Sequence, residues 1–252
     1  MNEQAEIPHI IHYFWFGGGE KSDLIKKCIA SWHQFFPDFE IKEWNEFNYD
    51  VNKIPYTSEA YKCKKWAFVS DYARFDILYH YGGVYFDTDV EVLKTFPKEL
   101  FDEQGFTGME STNEIAPGLI FACMKGHPFL EKILEDYEKS HFIVEGKEHP
   151  ITVNKRVGAL FEENGFKRRG EIQCINGIRI YPSEWFCGYD LDVFEPDIKE
   201  CTLSIHHYSS TWEYSSFTRK RKVQVVLKRL VGVNGYRKIL KFARWLRKLR
   251  GK

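Results

Sequence analysis

Residues 64–89 have the sequence KKWAFVSDYARFDILYHYGGVYFDTD, and this stretch predicts the central unit of the fold. Apolar residues recur at helical spacing from Thr57 to Tyr81, and Gly82-Gly83 follows where a helix ends in the left-handed conformation. The apolar residues Val84 to Phe86 then predict a short buried strand that runs directly into Asp87-Thr88-Asp89. We therefore predict a helix, a tight turn and a strand with two acidic side chains at its end.

Patterns typical of strands and helices alternate on both sides of this unit. Before it, Ile7 to Phe16 predicts a strand, Ser22 to Phe36 a helix, and Phe39 to Trp44 a second strand. After it, we predict strands at 106–109, 119–123, 178–181 and 204–208 and helices at 128–139 and 153–164. Such alternation predicts a three-layer α/β domain, which we place at residues 1–217.

The composition excludes several classes of protein. The chain of 252 residues is 43% hydrophobic and 17% aromatic, which excludes a disordered or collagen-like chain. No apolar run reaches the roughly 18 residues of a membrane-spanning helix. The six cysteines lack metal-site spacing, and the first residues lack the basic and apolar regions of a signal peptide. We therefore expect reduced thiols and a cytoplasmic location.

Charge is distributed unevenly along the chain. Residues 219–252 carry fourteen basic and no acidic residues, although the formal net charge of the whole chain is zero. Within them, Ile239, Phe242, Ala243 and Leu246 follow the spacing of one helix face. We predict a basic amphipathic helical tail at 218–252 that lies on an anionic membrane surface. Packing of the tail on the acidic body is the alternative, whereas no nucleic-acid-binding motif accompanies the charge.

The acidic turn Asp87-Thr88-Asp89 has the residue types of a metal site. Residues two apart in an extended chain point to the same side, about 6.5–7 Å apart, so the two carboxylates can converge on one cation. Oxygen ligands suit Mg²⁺ or Mn²⁺, and phosphates of a substrate commonly complete the shell. A solvated turn is the alternative. An EF-hand is disfavoured because Val92 stands where the calcium loop requires glycine.

Asp71 and Arg74 form a charged pair in the apolar part of the predicted helix. Residues three apart lie on one helix face, so the pair is either an intrahelical ion pair or a pair at the edge of a pocket. Burial of such a pair is costly unless both groups are fully hydrogen-bonded. We therefore favour a pocket edge.

Residues 64–78 and 81–89 together resemble the signature of the DXD-containing glycosyltransferases of family 32. The opening IPHIIHYFWFGG at 7–18 and HHYSSTW at 206–212 match the same family, so the resemblance covers roughly residues 5–215. Capsule enzymes and initiating mannosyltransferases belong to this family, and the glucosylating clostridial toxins are related to it. The resemblance implies a GT-A-like fold, a mixed Rossmann-like sheet flanked by helices.

The resemblance also implies a metal shell. Asp87 and Asp89 would hold Mn²⁺ or Mg²⁺ against the diphosphate of a nucleotide sugar, and His207 would complete the shell. His206 is the alternative to His207, because neighbouring residues of a strand point to opposite faces and only one of them can reach the metal. A histidine ligand favours Mn²⁺ over Mg²⁺.

Donor contacts follow from the same resemblance. Asp71 and Arg74 would bind hydroxyls of the donor sugar, with Arg74 also near phosphate. Trp15 would lie along the nucleotide base, and an aromatic plane at the end of a strand is physically suited to that role. Ser210 and Trp212 would reach the diphosphate from a closing loop, where an indole N–H can donate to a phosphate oxygen.

These features predict a metal-dependent, retaining glycosyltransferase. It would move a hexose or N-acetylhexosamine from a UDP-sugar, or from GDP-mannose, to a glycan or lipid-linked oligosaccharide acceptor. The expected setting is synthesis of capsular or surface polysaccharide at the inner face of the cell membrane. A metal-dependent nucleotidyl- or phosphotransferase and a non-catalytic carbohydrate-binding protein are the alternatives.

Overall fold

A computed structural model describes residues 6–110, 112–191, 193, 195–209, 226–228, 230–240, 242 and 245. The α-helices are α1 Asp23–Phe35, α2 Pro55–Lys62, α3 Trp66–Tyr81, α4 Pro128–Glu138, α5 Val153–Glu163 and α6 Ser183–Phe186, and a 3₁₀ turn spans Lys98–Leu100. The strands are β1 Ile10–Phe14, β2 Glu40–Trp44, β3 Gly83–Tyr85, β4 Val90–Val92, β5 Gly105–Gly108, β6 Phe121–Cys123, β7 Ile143–Val144, β8 Lys147–Glu148, β9 Gln173–Ile175, β10 Ile178–Tyr181, β11 Tyr189–Asp190, β12 Glu195–Pro196 and β13 Ser204–His206.

Seven strands form the central sheet in the order β2-β1-β3-β6-β5-β10-β9. Strand β1 is parallel to β2 and β3, and β5 is parallel to β10. Strand β6 is antiparallel to both of its neighbours, β3 and β5, and β9 is antiparallel to β10. The predicted mixed sheet is therefore confirmed. Because β1, β3, β5 and β10 run in the same direction, their carboxyl ends lie at one edge, where open α/β sheets bind ligands.

Apolar side chains cover both faces of this sheet. Adjacent residues of a strand point to opposite faces, and Val84 and Tyr85 accordingly belong to different buried clusters. The Tyr85 cluster includes buried residues of α2, α3, α4 and α5. The Val84 cluster includes Trp32 of α1. Helices therefore pack on both faces, which confirms the three layers predicted from the sequence.

The long helix predicted over 57–81 is two helices. Helix α2 ends at Lys62, and Lys64 has a left-handed φ of 57°, so the chain changes direction before α3 begins at Trp66. Backbone N–H groups of Lys64 and Lys65 donate to the carbonyls of Tyr61 and Ala60, which closes α2. The break was not predicted because neither glycine nor proline marks it. Gly82, with φ 67°, ends α3 as predicted.

A two-stranded sheet joins β13 to β4, just after the acidic turn. The strands are antiparallel, and His206 pairs with Val90. The backbone N–H of His207 also donates to the carbonyl of Asp89 at 3.0 Å. Helix α1 supports β4, since the indole of Trp32 donates to the carbonyl of Val90 at 2.8 Å. This pairing brings the chain around residue 206 back to the acidic turn.

Part of the basic tail is helical and contacts the body. Residues 226–228 and 230–240 are in helical conformation. Lys228 contacts the Val193 carbonyl and Glu195, and Arg237 pairs with Asp190 at 3.2 Å. Tyr236 is only 5% exposed. Among the helices of the described residues, none combines the length and the apolar character needed to cross a membrane.

Candidate active site

The acidic turn lies at the carboxyl edge of the central sheet. Asp87 follows β3 after one residue, and Asp89 immediately precedes β4. His206, the last residue of β13, completes a cluster with these two aspartates, which we call the Asp–Asp–His cluster. One potential ligand atom from each of the three residues lies within 4.8 Å of the other two. The imidazole Nε2 lies 2.9 Å from Asp89 Oδ1 and 3.9 Å from Asp87 Oδ2.

Neighbouring donors fix the orientation of both carboxylates. The hydroxyl of Tyr85 donates to Asp87 Oδ1 at 2.6 Å. The backbone N–H and hydroxyl of Ser209 donate to Asp89 Oδ2 at 2.8 and 2.9 Å. Each aspartate therefore uses one oxygen for a protein donor and directs the other oxygen toward His206. Groups that hold ligands in this way commonly tune a metal site.

Glycine is required beside the first carboxylate. The backbone N–H of Asp87 donates to the carbonyl of Gly118 at 3.0 Å, which brings the two chains together. A Cβ atom at position 118 would overlap Asp87 Oδ2. The absence of a side chain at Gly118 therefore preserves the position of the oxygen that faces His206.

The charges of the cluster compensate one another. Burial alone would raise the pKa of Asp89, but the adjacent His206 and the Ser209 donors outweigh it and lower that pKa well below its usual range. Burial opposes protonation of His206, yet Asp89 and Asp87 raise its pKa above the ordinary value. Two carboxylates and an imidazole that converge in this way fit a divalent cation. Binding of the cation would displace the proton that the cluster otherwise attracts to His206.

Asp71 and Arg74 lie beside this cluster. Arg74 Nη2 donates to Asp71 Oδ1 at 2.6 Å, and its Nε donates to the Ser70 carbonyl at 3.0 Å. Its guanidinium stacks over the Tyr85 ring, 4.6 Å from the centroid. Arg74 Nη1 lies 3.3 Å from Asp87 Oδ1, and it makes no hydrogen bond of good geometry within the described part of the chain. The pair is an intrahelical ion pair that also contacts Asp87, and its predicted location at a pocket edge stays a prediction.

The Asp71 carboxyl has a raised pKa. Burial raises its pKa to about 7, because the attraction of Arg74 only partly offsets the loss of solvent, and Asp87 adds repulsion. The backbone N–H of Val153, at the start of α5, lowers this pKa in part without offsetting burial. A buried carboxyl of this kind can exchange hydrogen bonds with a ligand hydroxyl.

The structure corrects the choice between the two histidines. His207 does not face the aspartates: its Nε2 lies 2.8 Å from Glu91 Oε2, and Lys27 pairs with the same glutamate. His206 faces Asp89 instead. The reason is that neighbouring side chains at the end of β13 point to opposite sides, so only one of the two histidines can face the aspartates.

The remaining residues predicted to form the site have different outcomes. Trp15 follows β1 at the same sheet edge and is partly exposed, with its indole donating to the Gly19 carbonyl at 2.6 Å. The Lys21 ammonium lies 5.3 Å from the centroid of the Trp15 ring. Ser210 and Trp212 lie outside the described residues, so their predicted contacts with diphosphate stay predictions.

Four residues that lie at or near the cluster were not predicted from the sequence, namely Tyr85, Glu110, Gly118 and Ser209. Tyr85 could have been found, because it precedes Asp87 by two positions and shares its side of the strand. The other three are brought to the cluster only by contacts between distant parts of the chain. No sequence pattern distinguished them.

Comparison with known proteins supports the resemblance at a general level. The family model described as glycosyltransferase sugar-binding region containing DXD motif matches residues 22–107, which include α3 and the acidic turn. The chain is 25% identical over 125 residues to the human alpha-1,4-N-acetylglucosaminyltransferase. It is 28% identical over 152 residues to inositol phosphoceramide mannosyltransferase 3 of Schizosaccharomyces pombe. The resemblance to DXD-containing glycosyltransferases is therefore confirmed for this part of the chain.

These relatives are longer than the region that matches. The matches cover 49% and 56% of this chain but 35% and 40% of the two relatives, so the chain spans less than half of their length. Among solved structures, a likeness extends to the galactosyltransferase LgtC in complex with donor and acceptor sugar analogues. The identity is 10% and the TM-score 0.47, over 86% of this chain and 94% of that chain.

Proposed function

We propose that this chain is a metal-dependent, retaining glycosyltransferase of the family 32 type, with a GT-A-like catalytic domain at residues 1–217. One observation carries the proposal. Asp87 and Asp89 each direct a carboxylate oxygen toward His206, and the buried Arg74–Asp71 pair lies directly beside them. A solvated turn would have no need of the donors that orient both carboxylates. This arrangement suits an anionic substrate that carries a divalent cation.

The leaving group of the reaction is a nucleoside diphosphate. When bound by Asp87, Asp89 and His206, Mn²⁺ or Mg²⁺ would neutralise the negative charge that develops on the diphosphate. Arg74 supplies a second, permanent positive charge, because the carboxylates and aromatic ring around its buried guanidinium outweigh burial and raise its pKa. Fixed charges directed at a leaving group stabilise a transition state without reorganisation.

The donor sugar and base occupy neighbouring positions in this proposal. Asp71 and Arg74 bind sugar hydroxyls, and Trp15 stacks along the base. Ser210 and Trp212 close over the diphosphate. Retention of the anomeric configuration follows from the family resemblance, and no described residue is assigned as a covalent nucleophile.

The proposed substrates are a nucleotide-diphosphate hexose or N-acetylhexosamine and a glycan acceptor. The names of the two relatives mention transfer of N-acetylglucosamine and mannose, which supports a UDP-sugar donor with GDP-mannose as the alternative. A lipid-linked oligosaccharide acceptor in the synthesis of capsular or surface polysaccharide agrees with the proposed membrane contact. The proposed location is the cytoplasm, at the inner face of the cell membrane.

A panel of nucleotide sugars tests the function directly. We expect the protein to hydrolyse one of UDP-galactose, UDP-glucose, UDP-N-acetylglucosamine and GDP-mannose slowly without acceptor, and to lose this activity when EDTA removes the cation. The corresponding nucleoside diphosphate should bind in calorimetry only when Mn²⁺ or Mg²⁺ is present. Turnover of nucleoside triphosphates instead would favour a nucleotidyl- or phosphotransferase. Sugar binding that is indifferent to both nucleotide and cation would favour a carbohydrate-binding protein.

We further propose that the tail at 218–252 contacts an anionic membrane while Lys228 and Arg237 keep their contacts with the domain. Lys228 and Arg237 pair with acidic residues of the body. Large apolar side chains of the tail are nevertheless exposed, namely Val226, Leu230, Val231, Ile239, Phe242 and Trp245. Exposed apolar groups among basic residues are typical of segments that lie in a membrane interface.

Substitution of two apolar tail residues by serine tests the proposed membrane contact. Phe242→Ser with Trp245→Ser should lower partitioning into vesicles with anionic lipid at least about tenfold, because each large apolar side chain contributes about 1.5–3 kcal/mol when buried. Co-sedimentation measures the effect. Phe47→Ser is the matched control, since Phe47 lies outside the tail and is 94% exposed. Equal binding of the double variant and the original protein would contradict a membrane role for the tail.

A further inference from the structure

Glu110 is a carboxylate at the same sheet edge as the Asp–Asp–His cluster, and no role has been assigned to it so far. It follows β5 after one residue, and β5 runs in the direction of β3 because both are antiparallel to β6. Residues that follow these two strands therefore meet at one edge. The backbone N–H of Glu110 donates to the Glu114 carbonyl at 2.9 Å, which holds the segment in a turn.

The side chain of Glu110 is partly buried but has only weak partners. Thr112 Oγ1 lies 3.3 Å and Asn154 Nδ2 3.4 Å from Oε1, and the Tyr208 hydroxyl lies 3.4 Å from Oε2. All three distances are at the long limit of hydrogen bonding. Within the described residues, neither oxygen has a short, strong donor. A carboxylate removed from water in this way gains free energy when a ligand supplies a donor.

The pKa of Glu110 agrees with its weak hydrogen bonds. Burial raises the pKa of Glu110 above its ordinary value, and the nearby Glu114 raises it further. The contacts from Thr112 and Asn154 and the charge of His206 lower it without offsetting the increase. Glu110 is therefore less well paired than Asp89, which accepts two short hydrogen bonds from Ser209.

Glu110 is connected to the proposed donor site on two sides. The first turn of α5 is near both carboxyl groups, since the Val153 N–H lowers the pKa of Asp71 in part and the Asn154 amide contacts Glu110. On the other side, the ring of Tyr208 packs against His206, with centroids 4.1 Å apart. Glu110 is therefore linked through α5 toward the Asp71–Arg74 pair and through Tyr208 to His206 of the Asp–Asp–His cluster.

We propose that Glu110 and Asn154 bind a hydroxyl group of a pyranose ring at the site of sugar transfer. This inference rests on the proposed function and adds a specificity-determining pair to it. The carboxylate accepts from the hydroxyl, and the amide of Asn154 donates to or accepts from a neighbouring hydroxyl. The pyranose belongs to the donor or to the acceptor. In the first case Glu110 affects the KM for the nucleotide sugar, and in the second it affects the KM for the acceptor.

Glu110→Gln tests the proposal because it keeps the shape and removes the negative charge. If the hydroxyl belongs to the donor, the KM for the nucleotide sugar in hydrolysis without acceptor should rise at least about tenfold, a loss of about 1.4 kcal/mol. If it belongs to the acceptor, the KM for acceptor should rise by that factor and donor hydrolysis should stay unchanged. Glu110→Ala should show the same pattern with a larger change.

Two controls separate this pair from the rest of the site. Glu163→Gln makes the same change at an exposed glutamate at the far end of α5, and it should leave both KM values within twofold. Affinity for the nucleoside diphosphate with Mn²⁺, which contains no sugar to be transferred, should be the same in Glu110→Gln and the original protein. Unchanged KM values for both substrates in Glu110→Gln would overturn the pair's role. Absence of cation-dependent nucleoside diphosphate binding in the original protein would instead overturn the proposed function itself.

Discussion

Asp87→Asn should lower kcat/KM for sugar transfer by about a thousandfold, which corresponds to about 4 kcal/mol of transition-state stabilisation. The amide has the size of the carboxylate and can still accept from Tyr85 through its oxygen. It places a neutral NH₂ group where Asp87 Oδ2 faces His206, and that group cannot ligate a cation. Steady-state kinetics over a range of Mn²⁺ concentrations measures the loss.

The fold should survive this change, because the Asp87 side chain is 32% exposed. Asp38→Asn is the matched control: Asp38 is exposed before β2, and activity should be unaffected. Gly118→Ala provides an independent variant, since its methyl group would overlap Asp87 Oδ2 while the carboxylate itself remains. Activity of Asp87→Asn within tenfold of the original protein would show that this oxygen does not participate in catalysis.

His206→Ala should weaken Mn²⁺ binding at least about a hundredfold, whereas His207→Ala should change it less than about twofold. The difference follows from their partners, because His206 faces Asp89 at 2.9 Å and His207 faces Glu91 at 2.8 Å. Even residues that only orient metal ligands commonly contribute ten- to hundredfold in affinity, so loss of a ligand should cost at least as much. Electron paramagnetic resonance of free Mn²⁺ measures binding without reference to turnover.

The two substitutions differ also in their effect on stability. His206→Ala removes the imidazole that pairs with the buried Asp89 carboxylate. The melting temperature of His206→Ala should therefore fall more than the melting temperature of His207→Ala. Melting curves therefore accompany the binding measurement and establish that both variants are folded. Greater loss of Mn²⁺ affinity in His207→Ala than in His206→Ala would mean that β13 presents its opposite face to the cation.

Several features of the fold were predictable from local chemistry. Helix α1 was located within one residue because its apolar residues recur at helical spacing, and in the structure the Ser22 hydroxyl caps it by accepting from the Ile25 N–H. Gly82 ended α3 as expected because glycine tolerates its positive φ. The break before α3 was missed because Lys64 adopts a left-handed conformation that lysine rarely takes, and only its surroundings stabilise it.

Local sequence was sufficient to identify the acidic turn, the neighbouring Asp71–Arg74 pair and the separation of charge between body and tail. In each case the residues lie close together along the chain, and their periodicity or composition is a local property. The selection of His206, Ser209 and Glu110 depended on tertiary structure. Ser209 meets Asp89 across 120 residues of sequence, and the pairing register of β13 with β4 decides which histidine faces inward. Such contacts arise from the packing of distant strands at one sheet edge, and spacing along the chain carries no information about them.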